Sequence, residues 1–72
     1  ALLSAQVRQQ QAALQTAQAN ASRDDAALAR AQELRDRGFL SQASLDTALA
    51  NQRSSQAGVA QARAALSSSQ TQ

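Results

Sequence analysis

Along this chain, apolar residues recur at alternating steps of four and three, in two series separated by a single glycine. The first series is Leu3, Val7, Leu14, Ala17, Ala21, Leu28 and Ala31, with polar Gln10 and Asp24 at two of the same heptad positions. The second is Leu45, Leu49, Gln52, Gln56, Val59, Arg63 and Leu66, flanked by Ala48 and Ala62. This spacing lays a stripe down one face of a helix, and a stripe sustained over about four heptads calls for a partner helix. Gln, Arg, Asn and Ser fill the positions between and suit a solvated face. Alanine and leucine supply most of the apolar content and have the highest intrinsic helix propensity. With no proline and only 2 glycines, little else breaks either series.

The break falls in Arg35-Asp36-Arg37-Gly38-Phe39-Leu40-Ser41. Gly38 reads as a helix stop, because glycine takes the left-handed conformation without steric penalty. Arg35 and Arg37 precede it, where positive charge complements exposed carbonyls. Ser41 reads as the N-cap of the next helix. Leu40 before the cap and Leu45 after it have the spacing of a hydrophobic staple, and Asp46 brings a carboxylate near the positive helix end. The expected fold is all-α, a two-helix antiparallel coiled-coil hairpin. Helix 1 spans about 2–37, the tip 38–40 and helix 2 about 41–68. Facing partners then have numbers adding to a near-constant: 79 for Leu34 with Leu45, and 80 for Ala31 with Leu49, Ala21 with Val59, and Leu14 with Leu66. In that register Leu2, Leu3 and Val7 overhang. Gly58 weakens the second helix by about 1 kcal/mol relative to alanine, and the Ser/Gln tail after Leu66 is expected to fray.

The inventory of reactive groups is thin. Cysteine and histidine are absent, which removes thiolates, imidazole bases and the commonest metal ligands. Serines therefore lack a histidine partner. Asp24 and Asp25 are adjacent, and adjacent side chains on a helix diverge by about 100°. Glu33 and Arg37 are four apart and suit an exposed ion pair. No catalytic role, cofactor or metal is expected. The 7 basic residues are all arginine and alternate with 5 acids, for a net charge of +2. That is too dispersed for a nucleic-acid-binding stripe, and the single Phe offers no stacking platform. The chain has 72 residues and no apolar run long enough to cross a membrane. It reads as a segment of a larger protein, weakly stable alone or associating with copies of itself.

The stretch from Arg30 to Asp46 resembles the hairpin tip of periplasmic adaptor proteins, the membrane fusion proteins of tripartite efflux pumps and type I secretion systems. Those proteins share an Arg, a Leu four residues on and a Ser seven further, and Arg30, Leu34 and Ser41 match that spacing. Leu45-Asp46 and Ala48 are similar to the start of the family's descending helix, and the Ala/Gln-rich arms extend the likeness over essentially the whole chain. The resemblance implies a hairpin projecting from a lipoyl-like domain in a protein anchored at the inner membrane. It implies a periplasmic location and about six copies forming a funnel. It further implies an inner-membrane transporter reached through other domains and an outer-membrane channel of the TolC type met by the hairpin tips. Arg30 would then offer charged hydrogen bonds, Leu34 an apolar knob and Ser41 a contact at the turn.

Each of these residues also has a plainer role: Ser41 as a cap, Leu34 as the seam partner of Leu45, Arg30 as a solvated charge. Phe39 is harder to place structurally, since a two-helix turn can cover little of it and exposed apolar groups at such positions mark contact surfaces. The tip set is therefore Arg30, Leu34, Arg37, Gly38, Phe39 and Ser41. A generic coiled-coil spacer or oligomerisation hairpin accounts for the heptads but gives this set no common role. A membrane-surface helix would need a less alanine-rich stripe and a denser basic face.

Overall fold

A computed structural model describes residues 2–71, with side chains from Ser4 to Thr71. Two helices account for nearly all of it: α1 (Leu2–Asp36) and α2 (Gln42–Thr71), joined by residues 37–41. They pack antiparallel into a rod of 56 × 13 × 11 Å. This is the all-α two-helix hairpin that the heptads predict.

The turn is built from two backbone motifs. At the end of α1 the Gly38 amide donates to the Arg35 carbonyl at 2.9 Å and the Phe39 amide to the Leu34 carbonyl at 2.8 Å. This pair of bonds is a Schellman cap, and it requires the left-handed φ of +79° that Gly38 adopts. At the start of α2 the Ser44 amide donates to Ser41 Oγ at 3.2 Å, and the Leu45 amide donates to the Ser41 carbonyl at 3.1 Å. Ser41 is thus the N-cap, and helix 2 begins at Gln42 rather than at 41. The end of α1 at Asp36 leaves Arg37 in the turn. Asp46 lies just past the first turn of α2 and accepts from Gln42 Nε2 at 2.9 Å, which holds its carboxylate against the first residue of the helix.

Between the helices lies a thin, alanine-lined seam. Ala21, Ala31, Leu45 and Val59 are buried, and Val7, Gln10, Leu14, Ala17, Asp24, Leu28 and Leu34 complete the α1 stripe half-buried. The expected α1 face is therefore the observed one. The α2 face differs at two positions. Gln56 and Arg63 are exposed, and Ser55 and Ala62 occupy the seam. From Leu45 the inward series steps three then four, through Ala48, Gln52, Ser55, Val59, Ala62 and Leu66. Small side chains at these levels let two alanine-rich helices approach closely, while the long Gln and Arg side chains stay in water. Half-buried Ser69 continues the seam, and α2 remains helical through Thr71, where fraying was expected. Val7 is half-buried rather than overhanging; the expectation for the side chains of Leu2 and Leu3 lies outside the described residues.

Candidate functional site: the hairpin tip

The tip collects most of the chain's unusual surface at one end of the rod. Phe39 follows the cap glycine and keeps 74% of its surface exposed, the only large hydrophobic side chain so exposed among the described residues. The Schellman bond fixes its backbone, because its amide is held by Leu34. Leu34 itself is half-buried on the seam side, and Leu40 is half-buried on the way to buried Leu45. Phe39 thus stands on a braced turn with most of its surface uncovered.

The arginines near the tip have different surroundings. Arg37 donates to Glu33 Oε1 at 2.7 Å, the four-residue pair expected from the sequence. Arg35 donates to Asp36 Oδ1 at 3.1 Å and to Gln42 Oε1 at 3.4 Å, reaching across the turn to α2. Gln42 passes the connection on to Asp46 at 2.9 Å. Arg35 and Arg37 are therefore engaged with side chains of this same tip rather than extended beside Phe39. Arg30 is different: it is exposed and makes no ion pair or side-chain hydrogen bond among the described residues. It lies roughly two turns below Gly38, on the side of α1 that Leu34 also occupies, since residues four apart are neighbours on a helix.

Ser41 has a defined structural role. Its hydroxyl oxygen accepts from the Ser44 amide, and the hydroxyl donates to Ser44 Oγ at 3.1 Å. The six tip residues read from the sequence thus fall at one end of the rod, but in three kinds of position. Gly38 and Ser41 form the turn, Leu34 and Arg37 brace it, and Phe39 and Arg30 are unengaged. The Arg35–Gln42–Asp46 chain is the element the sequence left unread; spacing within one helix gives no sign of a bond that crosses the turn.

The site offers contact chemistry: an exposed ring, a free guanidinium and backbone groups at a turn. Among the described residues no group of three or more His, Cys, Asp or Glu side chains could hold a metal ion. None of the described helices is long and apolar enough to cross a membrane.

A family model described as RND MFP, alpha-helical hairpin domain, matches residues 6–72. No curated protein and no solved structure matches the chain.

Proposed function

The chain belongs to the RND membrane fusion protein family, as its α-helical hairpin domain, and on that premise we propose that it docks through its tip onto an outer-membrane channel. The family is one of periplasmic efflux adaptors, a non-enzymatic role, whose members work between outer-membrane channels and inner-membrane transporters. The observation that carries the reading is Phe39, an aromatic side chain with 74% of its surface exposed at the end of a 56 Å rod. Leaving such a ring in water forgoes roughly 1.5–3 kcal/mol of burial that a partner would recover.

In this reading Phe39 enters an apolar recess on the channel's helical ends. Arg30, which has no ion pair or side-chain hydrogen bond among the described residues, donates to carbonyl or carboxylate oxygens there. Leu34 supplies apolar support under the ring. Gly38 and Ser41 act by shaping the turn, with Ser41 at the rim of the contact, and Arg37 holds the turn through Glu33. The parent protein is anchored at the inner membrane, and its other domains reach the transporter. The hairpins stand in the periplasm as a funnel of about six copies, facing a channel of the TolC type.

Capture of the channel by the parent protein tests this. Wild type is compared with Arg30→Asp, Leu34→Ala, Phe39→Ala and Ser41→Ala, each checked for helicity by circular dichroism. Capture lost at Arg30→Asp and Phe39→Ala with helicity kept is the expected result. Capture unchanged in all four would leave the hairpin as a coiled-coil spacer.

A further inference from the structure

The seam contains one ionisable side chain among the described residues, Asp24, about two-thirds of the way along α1. Its side chain is only 13% exposed, although nothing in the hairpin's architecture demands a carboxylate there. Both of its oxygens are engaged. The Ser55 hydroxyl of α2 donates to Oδ2, and Arg23 Nε donates to Oδ1 at 3.1 Å. Just outside the seam Gln56 Nε2 donates to the two oxygens of Asp25 at 3.5 and 3.3 Å. A polar layer therefore crosses between the helices at one level, and no buried side-chain polar atom lacks a partner among the described residues.

The rest of the seam discriminates poorly. Ala17, Ala21 and Ala31 on α1 meet a face of α2 that carries Ala48, Ala62 and Ala65. Small side chains make shallow knobs and holes, so an α1 stripe could pack almost as well on the α1 stripe of another copy. Asp24 changes that balance. The α2 seam offers donors at Gln52, Ser55 and Ser69, whereas the other α1 seam positions offer only Gln10. An α1–α1 contact would set Asp24 against Asp24, as in a parallel in-register pair that also sets Ala21 against Ala21, or against an apolar residue at nearly every other level. Either arrangement leaves a carboxylate oxygen in the seam without a donor, which costs far more than an exposed polar group.

We infer that Asp24 is a pairing-specificity residue: its bond to Ser55 commits α1 to its own α2 and penalises α1-to-α1 association between copies. Polar residues at single seam positions are the best-attested devices for fixing partner and register in coiled coils, at some cost in stability. The Ser55 hydroxyl, and secondarily Arg23, also hold the Asp24 carboxyl below its ordinary value, so the group stays charged over the neutral range. The selectivity acts through α1, since the polar seam groups of α2 are neutral.

The test uses the 72-residue chain carrying Ala21→Cys. Ala21 is 6% exposed inside the hairpin, so a disulfide dimer forms when α1 seams of two copies meet. Dimer yield under mild oxidation is compared with Asp24 intact, with Asp24→Leu, with Asp24→Ala and with Asp25→Ala. Alanine is included because it is the best helix former and keeps the arm helical if leucine disturbs it. Removal of the Asp24 carboxylate is expected to raise the dimer by roughly tenfold or more, with the Asp25→Ala chain staying at the level of the parent. A yield that does not rise in either Asp24 variant overturns the inference. So does an equal rise in Asp25→Ala, which would make the effect one of net charge rather than of the seam.

Discussion

The Phe39 amide donates to the Leu34 carbonyl at 2.8 Å, tying the most exposed apolar side chain of the tip to a leucine on the seam. The bond exists because Gly38 turns the chain through φ +79°, and it holds the backbone from which the ring projects. Presentation of the ring is thus a consequence of how the helix ends.

Replacement of Gly38 should therefore loosen the tip by a purely backbone effect. A Cβ built on Gly38 meets nothing within 4 Å, so Gly38→Ala introduces no clash. The left-handed conformation still costs an L-residue about 1–2 kcal/mol. Chemical denaturation should show a loss of that size, and Gly38→Asn a smaller one, because asparagine tolerates this region better.

The second glycine should respond in the opposite direction. Gly58 sits half-buried within α2, in helical conformation, and a Cβ there also meets nothing within 4 Å. Gly58→Ala should stabilise the hairpin by about 1 kcal/mol. Thermal melting should register this as a midpoint higher by roughly 4–8 °C, the usual scale for a small domain.

Ser41 separates capping from contact. Ser41→Ala removes the acceptor for the Ser44 amide and should cost about 1 kcal/mol. Ser41→Asp restores an acceptor and should restore stability. Urea melts of the two variants check the cap, and their channel capture then reports whether the hydroxyl contributes anything beyond it.

Acid should weaken the middle of the hairpin through Asp24. Its carboxyl is held below the ordinary value in the folded chain, by the Ser55 hydroxyl first and Arg23 second, against the opposing effect of burial. A depressed folded pKa contributes stability that is present above the unfolded value, about 3.9. That stability is lost as pH falls through the folded value. Denaturation midpoints should therefore drop as pH falls below about 4, more in the wild type than in Asp24→Asn, which no longer titrates at that position.

Most of the hairpin was legible in the sequence because heptad spacing and turn chemistry are local signals. Leu14, Ala21 and Ala31 on α1, and Leu45, Val59 and Leu66 on α2, lie where their periodicity puts them. Gly38 and Ser41 form the motifs that their residue types favour. The phase of α2 was less legible. From Leu45, steps of four-three and three-four agree at every other position, so the pattern alone does not choose between Ser55 and Gln56. The bond from Ser55 to Asp24 favours the observed phase, and its acceptor belongs to the other helix. Bonds across the turn, such as Arg35 to Gln42, escape one-helix reasoning for the same reason. At the tip the sequence placed Arg30, Leu34, Arg37, Gly38, Phe39 and Ser41 as a group, and it took geometry to separate Arg30, which has no ion pair or side-chain hydrogen bond among the described residues, from the engaged Arg35 and Arg37.

Equilibrium binding of the parent protein to its outer-membrane channel, wild type against Phe39→Ala, tests tip docking most directly. A fall in affinity of roughly tenfold or more, the scale of an aromatic ring leaving an apolar recess, with helicity and melting temperature unchanged, is the outcome expected here. Equal affinity of the two proteins would contradict it and would return Phe39 to the status of an exposed side chain at a turn.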